Sequence, residues 1–244
     1  MIGIGIIGSR GRMGRAVAAE LEGHELARLA GAVDQGDDLA ALAGGCDVLI
    51  DFSSPAALPG NLAAAEGVGR SVVIGTTGLS DEDHARIDGA AGGIAVLQAA
   101  NMSLGVNLLA HLVREAASRL GPDWDIEIVE MHHRHKVDAP SGTALLLGQA
   151  AAAGRGIDLS ASSDRGRDGI TGARTPGHIG FAALRGGSVA GDHLVVLAGE
   201  GERIELGHRA ESRAIFARGA IQAALWLHGR PPGRYTIGDV LGLS

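Results

Sequence analysis

The residues best suited to chemistry lie in one short stretch of the chain, positions 127 to 143, which reads EIVEMHHRHKVDAPSGT. Five basic residues follow one another there: His132, His133, Arg134, His135 and Lys136. Lys136 is the only lysine in the sequence, and every other basic position apart from the histidines is an arginine. An ammonium can give up a proton when its pKa is lowered, whereas a guanidinium stays charged. The retained lysine therefore indicates a position that needs proton transfer or a compact point charge, rather than a merely solvated basic loop.

The same stretch ends on Ser141-Gly142-Thr143, which is typical of the start of a helix. The first backbone N–H groups of a helix have no partner within the helix, and its dipole favours an anion at that end. On its own this motif is more simply explained as an ordinary serine cap. His133 and Lys136 add positive charge a few residues upstream, which favours a pocket for a carboxylate or a phosphate group.

Two other kinds of site would use histidine or serine in this region. Zinc would need further ligands, and neighbouring residues such as His132 and His133 point in opposite directions on a strand, so we expect no metal. A serine hydrolase would need Ser141 in a GxSxG turn, whereas the surrounding residues read APSGT. The remaining interpretation is a dicarboxylate pocket with a proton source, which suits hydride addition from a nicotinamide.

A glycine-rich turn near the N-terminus suggests where such a cofactor would bind. An apolar run over 1 to 7 leads into GSRGRMG at 8 to 14, and a helix is expected from Arg15 to Glu22. A strand, a glycine turn and a helix present backbone N–H groups and a helix dipole to a pyrophosphate. The spacing is GxxGxxG, because Arg10 stands where the middle glycine of GxGxxG would be. The position directly after the first strand nevertheless favours a dinucleotide.

Asp34 ends the second expected strand, 20 residues after Gly14. An acid at this distance is expected to bind the ribose 2′-hydroxyl of NAD. A helix cap or a turn acid is the simpler alternative. A carboxylate there repels the additional phosphate of NADP, and the next residue, Gln35, offers no cation, so NADH is favoured over NADPH. Arg10 or Arg12 could still reach a 2′-phosphate.

Strand and helix patterns predict two domains. Five short apolar runs, the last over 94 to 98, alternate with helical segments and predict a doubly wound parallel sheet. A further strand is expected over 124 to 132. Three later runs, at 179 to 185, 188 to 198 and 203 to 209, are joined by Gly-Gly and Gly-Glu-Gly turns and predict a largely antiparallel arrangement. The fold class is therefore α/β, with a second α+β domain on an open mixed sheet.

Composition excludes several classes of partner. The net charge is -7 and only 2% of the 244 residues are aromatic, which argues against nucleic acid. No apolar run reaches about 18 residues, so we expect no membrane span. Cys46 is the only cysteine and cannot form an intramolecular disulfide, which suits the cytoplasm.

Several motifs together resemble one known family. They are GSRGRMG at 8 to 14, DFSSP at 51 to 55, GTTG at 75 to 78, AANMSLGVN at 99 to 107, EMHHRHKVDAPSGTA at 130 to 144 and GHRAESRAIFARGAIQAALWL at 207 to 227. They occur in order over nearly the whole chain. The chain resembles the 4-hydroxy-tetrahydrodipicolinate reductases, also called dihydrodipicolinate reductases, of the diaminopimelate route to lysine.

The resemblance implies a Rossmann-type dinucleotide-binding domain made of residues 1–103 and 213–244. Residues 104–212 would form a substrate-binding domain that assembles a homotetramer. The implied reaction reduces 4-hydroxy-tetrahydrodipicolinate with NADH or NADPH and releases water. Two other classes stay open: a Rossmann-type oxidoreductase acting on another small dicarboxylate, and a non-catalytic dinucleotide sensor.

Residue roles follow from the same resemblance. His132 matches the catalytic proton donor and acceptor, and Lys136 matches the proton donor. The matched substrate-binding positions are His133, Ser141, Gly142 and Thr143. The matched cofactor-binding positions are Gly8, Ser9, Arg10, Gly11, Arg12, Met13, Asp34, Gly75, Thr76, Thr77, Ala99, Ala100, Asn101 and Met102. Where some members have an acid followed by arginine, this chain has Asp34-Gln35, and Ala100 replaces a common proline.

Overall fold

The computed structural model describes residues 1–243. The chain forms two compact units. The first contains Met1–Leu104 together with the segment that starts at Arg213, and the second is Gly105–Ser212. No helix in the described residues is both long enough and apolar enough to span a membrane.

The first unit is built on a six-stranded sheet in which each pair of neighbours is parallel. Its strands are β1 (Ile2–Ile7), β2 (Ala27–Val33), β3 (Val48–Asp51), β4 (Ser71–Ile74), β5 (Ala95–Gln98) and β11 (Gly233–Tyr235). The order across the sheet is β11-β5-β4-β3-β1-β2. The predicted doubly wound parallel sheet is confirmed. Neighbouring residues of one strand face opposite sides, so Ile50 packs into one core cluster and Leu49 into the other.

Helices cover both faces of this sheet. They are α1 (Arg12–Leu21), α2 (Leu39–Gly45), α3 (Leu58–Gly67), α4 (Asp81–Ala90), α7 (Ala214–Leu227) and α8 (Ile237–Leu241), with a 3-10 turn at Pro55–Ala57. α1 and α7 contribute to one core cluster, whereas α2, α3 and α4 contribute to the other. Gly219 allows α7 to approach the chain after β5, because a Cβ there would lie 1.7 Å from the carbonyl oxygen of Met102.

The second unit contains a five-stranded mixed sheet. Its strands are β6 (Asp125–His132), β7 (Ser163–Asp164), β8 (Ile179–Arg185), β9 (Gly191–Gly199) and β10 (Glu202–Ala210), in the order β10-β9-β6-β8-β7. The helices α5 (Leu104–Arg119) and α6 (Gly142–Arg155) contribute to its core. Alternate residues of β6 are buried, as expected for a strand with one face towards the core.

The expectation of a largely antiparallel arrangement is wrong for two of the four strand pairs. β6 pairs antiparallel with β9 but parallel with β8, and β7 also pairs parallel with β8. The Gly-Gly segment after β8 does not form a hairpin turn between β8 and β9, because it hydrogen-bonds to the end of β6. Gly186 N–H donates to His132 O at 2.9 Å, and Arg134 N–H donates to Gly187 O at 3.3 Å. β6 thus lies between two strands that are neighbours in the sequence.

Candidate active site

Strand β6 directs Glu130 and His132 to the same buried face of the second sheet. Residues two apart on a strand share a face. Only 1% of Glu130 and 8% of His132 are exposed to solvent. A buried carboxylate is unfavourable unless it is paired and hydrogen-bonded, so its partners define the site.

Four hydrogen bonds converge on the Glu130 carboxylate. Arg185 donates two of them, Nη1 to Oε2 at 2.8 Å and Nη2 to Oε1 at 2.9 Å. His132 Nδ1 lies 2.6 Å from Oε2, and the backbone N–H of Ser141 donates to Oε1 at 3.1 Å. Glu130 therefore joins the end of β8, the end of β6 and the start of α6 in one cluster.

Glu130 is held in its ionised form. Burial opposes ionisation, but hydrogen bonds from Arg185 and His132 outweigh it and keep the pKa of Glu130 below its ordinary value. An ionised carboxylate can only accept hydrogen bonds, so His132 Nδ1 carries a proton and donates it to this bond. The second ring nitrogen, Nε2, is then the atom of His132 that can exchange a proton.

Ser141 begins helix α6 and links it to His193 on β9. Its hydroxyl oxygen accepts from the backbone N–H of Ala144 at 3.1 Å, and lies 3.0 Å from His193 Nε2. Burial, together with the nearby charge of His132, lowers the pKa of His193 to about 4. Nε2 of a neutral His193 can accept a hydrogen bond from the Ser141 hydroxyl. The His193 ring packs edge-on against that of His132, with 5.1 Å between ring centroids.

Lys136 lies in the turn between β6 and α6. Its Nζ donates to both carboxylate oxygens of Asp138, at 2.8 and 2.9 Å, and this hydrogen bond lowers the pKa of Asp138. Arg185 Nη2 also donates to the backbone carbonyl of Asp138 at 2.6 Å. The same guanidinium thus contacts the Glu130 side chain and the segment that carries Lys136. The Lys136 side chain is 19% exposed.

The structure brings four predicted residues to one end of the second sheet: His132, Lys136, Ser141 and Gly142. Ser141 uses both its backbone N–H and its hydroxyl inside the protein, so substrate contact by this residue stays a prediction. His133 is half-buried, with its ring centroid 6.3 Å from that of His135. No group of three or more His, Cys, Asp or Glu residues is placed to hold a metal ion within residues 1–243.

The predicted cofactor residues lie at the carboxyl ends of four strands in the first sheet. The turn after β1 is too tight for side chains at two of its glycines. A Cβ on Gly8 would lie 2.4 Å from Phe52 O, and one on Gly14 would lie 2.3 Å from Gly8 O. Gly8 also has φ +80°. The turn thus allows close backbone approach beside the N-terminus of α1, which fits a dinucleotide pyrophosphate.

Asp34, at the end of β2, hydrogen-bonds to this turn. Its Oδ2 accepts the backbone N–H of Arg10 at 2.9 Å and its Oδ1 accepts that of Gln35 at 2.9 Å. These bonds, the one from Arg10 first, lower the pKa of Asp34. Asp37, a residue that sequence reasoning missed, accepts the N–H of Asp34 at 2.8 Å and pairs with the Arg10 guanidinium at 3.3 Å.

A buried polar cluster supports the ends of β3 and β4. Asp51 is fully buried, and its Oδ1 accepts from the Ser53 N–H at 2.8 Å, the Ser53 hydroxyl at 2.6 Å and the Thr76 hydroxyl at 3.2 Å. Its Oδ2 accepts from the Asn61 amide at 2.9 Å. Thr77 follows Thr76 at the surface, and the segment Ala99 to Met102 follows β5. Each predicted cofactor-binding segment therefore follows directly after a strand of this sheet.

Comparison with known proteins decides the family. The chain matches the family described as "Dihydrodipicolinate reductase, N-terminus" over residues 2–102, and "Dihydrodipicolinate reductase, C-terminus" over residues 105–241. The chain belongs to the dihydrodipicolinate reductase family. The resemblance carried by the sequence motifs is thereby confirmed, and the chain is an oxidoreductase of this family.

Two curated relatives of the dihydrodipicolinate reductase family extend along the whole chain. The 4-hydroxy-tetrahydrodipicolinate reductase of Zymomonas mobilis is 57% identical and covers 98% of this chain and 97% of its own length. That of Brucella abortus is 51% identical over 100% of both chains. A solved structure, "Dipicolinate bound Dihydrodipicolinate reductase from Paenisporosarcina sp. TG-14", has a TM-score of 0.78 at 23% identity and covers 97% of each chain. That likeness supports the fold.

Proposed function

We propose that this chain reduces 4-hydroxy-tetrahydrodipicolinate to tetrahydrodipicolinate with NADH or NADPH, and that it acts in the diaminopimelate route of lysine biosynthesis. Full-length relatives at 51% to 57% identity carry the name of this reductase. The observation that carries the proposal is the cluster around Glu130, where the His132 ring and the start of α6 hydrogen-bond to one buried carboxylate. Arg185 links this carboxylate to the segment that carries Lys136. Such a cluster can bind a dianion and exchange a proton with it.

The substrate would be held by positive groups of the second unit. The N-terminus of α6 at Gly142 and Thr143, together with His133, would receive its carboxylates. Lys136 would leave Asp138 and either bind the substrate or protonate it. When bound, the reduced nicotinamide supplies a hydride. His132 Nε2 and Lys136 Nζ are the two groups able to balance that hydride with a proton, and the 4-hydroxyl group leaves as water.

NADH is the cofactor that the first unit favours. Asp34 is ionised at neutral pH, and an anion beside the ribose repels a 2′-phosphate. Arg10 is the cation that could offset this repulsion, but its guanidinium pairs with Asp37. That pair is solvent-exposed and therefore weak, so NADPH would bind with lower affinity and would not be excluded.

We assign residues 1–103 with 213–244 to dinucleotide binding, and residues 104–212 to substrate binding and assembly of a homotetramer in the cytoplasm. The sheet of the second unit supports the assembly, because the face opposite its helices carries half-buried aliphatic side chains at Val129, Met131, Leu194 and Val196, and Leu184 is 51% exposed. An aliphatic sheet face of this kind suits pairing with a second copy. The single, buried Cys46 suits a reducing compartment.

An assay of NADH oxidation tests the proposal. The substrate is the condensation product of pyruvate and aspartate semialdehyde, prepared in the same cuvette. We expect turnover with this compound and little with other small dicarboxylates. His132→Gln should lower kcat by about a hundredfold. Oxidation of NADH with a different dicarboxylate alone would identify another oxidoreductase, and cofactor binding without any turnover would indicate a sensor.

A further inference from the structure

The ring of His132 is in contact with different groups at its two nitrogens. Glu130 Oε2 lies 2.6 Å from Nδ1. On the other side, a Cβ built on Gly191 would lie 3.0 Å from Nε2 and 3.4 Å from the neighbouring ring carbon. Any side chain at position 191 would therefore press against the nitrogen that is available for proton exchange.

We propose that Glu130 and Gly191 are positioning residues for the reaction, which act through His132. Glu130 fixes the proton of the neutral ring on Nδ1, and Gly191 keeps Nε2 uncovered, so Nε2 is the atom that exchanges a proton with the substrate. The inference rests on the proposed function, in which His132 exchanges that proton.

Arg185 is the residue that makes this arrangement stable. A protonated Glu130 could donate to Nδ1 and would then leave the histidine proton on Nε2, which is the opposite tautomer. The two parallel hydrogen bonds from Arg185 favour the ionised carboxylate, as bidentate arginine pairs do. The register of the sheet fixes this geometry, since Arg185 on β8 lies opposite His132 on β6.

The tautomer can be measured on the unaltered full-length protein. Nitrogen NMR of histidine labelled with ¹⁵N reports the protonation of each ring nitrogen, and the signals of His132 are those lost in His132→Gln. In the neutral ring, we expect the proton on Nδ1 and none on Nε2. Loss of the Nδ1 proton with retention of the Nε2 proton would overturn the inference.

Kinetics of two variants give an independent test. Loss of a carboxylate that orients a metal-ligating histidine costs about ten- to a hundredfold in activity, and we expect a cost of at least that size here. Glu130→Gln should lower kcat by that factor and yield a mixture of His132 tautomers, with the KM for NADH unchanged. Gly191→Ala should lower kcat to a similar extent without changing the tautomer, because its Cβ covers Nε2. Gly191 has φ +156°, where a side chain also strains the backbone, so the urea-unfolding midpoint of this variant is measured alongside its kcat. If Glu130 and Gly191 only stabilised the fold, their variants would change neither the His132 tautomer nor kcat relative to KM.

The matched control is Asp164→Asn, which alters another carboxylate that contacts a histidine ring, at Nδ1 of His178, with a distance of 3.0 Å. It should leave kcat unchanged. If Glu130→Gln does not fold, the tautomer of the unaltered protein and Gly191→Ala still decide the question. Wild-type kcat in both positional variants, with His132→Gln inactive, overturns this inference alone. Wild-type kcat in His132→Gln instead overturns the role of His132 in the proposed function.

Discussion

Two buried carboxylates support the two candidate sites, and they are stabilised in different ways. Glu130 in the second unit accepts hydrogen bonds from the Arg185 guanidinium and the His132 ring. Asp51 in the first unit accepts its hydrogen bonds from neutral groups of Ser53, Asn61 and Thr76. Both carboxylates lie at or near the end of a strand, and both are almost fully buried.

The different hydrogen-bond donors suit the two carboxylates to different roles. Neutral donors fix the shape of a loop but offer no proton that can be exchanged near neutral pH. A carboxylate paired with arginine and histidine fixes shape, keeps a local charge and orients a group that titrates. We therefore propose that the cluster of the second unit serves proton exchange with an anion, and that the cluster of the first unit fixes the backbone of a loop.

The largest effect is expected for Lys136→Arg. The guanidinium keeps the positive charge beside Asp138 but is a poor proton donor, so kcat should fall by about a hundred- to a thousandfold while substrate KM changes little. Steady-state kinetics measure both constants. Arg134→Lys alters a neighbouring exposed cation and should have no effect on kcat. Near-normal turnover of Lys136→Arg would reduce Lys136 to a holder of charge and would weaken the contrast between the two clusters.

We expect the stability of the second unit to depend on pH through His193. The pKa of His193 falls to about 4 in the folded protein, against about 6.5 in an unfolded chain. The unfolded state then binds more protons between these values, so the free energy of unfolding decreases as the pH falls from about 6.5 to 4. The loss amounts to roughly 3 kcal/mol. Urea unfolding at several pH values measures it.

His193→Gln keeps an acceptor for the Ser141 hydroxyl and removes the titrating ring. It should flatten most of this pH dependence, and a smaller part should remain because burial also lowers the pKa of His208. His228→Gln alters an exposed histidine and should leave the slope unchanged. An unchanged slope in His193→Gln would show that the buried cluster of the second unit does not titrate as described.

Local patterns in the sequence were sufficient for most of the fold. The bounds of β8 are those that the apolar run over 179 to 185 predicts. Helix α1 begins at Arg12 instead of Arg15, directly after Gly11, which is its extended N-cap residue. Helix α2 was missed, since the short segment LAALAGG ends on two glycines. Its signal was Asp38, whose carboxylate accepts the N–H of Ala41 at the start of the helix.

The candidate site could be predicted only where its residues are close in the sequence. His132, Lys136 and Ser141 lie within ten positions and were found together. Arg185 and His193 were missed because the register between strands places them, with Arg185 opposite His132 and His193 opposite Glu130. No local pattern encodes that register. Glu130 itself could have been found, since it lies two residues before His132 and must share its face.

Asp51→Asn tests the neutral cluster of the first unit. An amide offers one acceptor oxygen where the carboxylate serves four hydrogen bonds, so a buried donor loses its partner and the free energy of unfolding should decrease by about 2 kcal/mol. We also expect a higher KM for NADH, with kcat unchanged. Denaturant unfolding and kinetics measure the two effects. Asp123→Asn, at an exposed turn position, should change stability by less than about 0.5 kcal/mol. A large fall in kcat for Asp51→Asn would contradict the division of tasks.

Asp34→Ala should give the smallest effect and the most selective one. In the proposed arrangement, removal of the carboxylate removes the ribose contact made by NADH and the repulsion felt by NADPH. The KM for NADH should rise by about tenfold, which corresponds to one charge-assisted hydrogen bond, while the KM for NADPH rises less or falls. Asp37→Asn is the matched variant, because it releases the Arg10 guanidinium and should lower the KM for NADPH alone. An equal rise in the KM for NADH and for NADPH in Asp34→Ala would show that Asp34 does not contact the ribose. The first unit would then bind its cofactor through the glycine turn without distinguishing a 2′-hydroxyl from a 2′-phosphate.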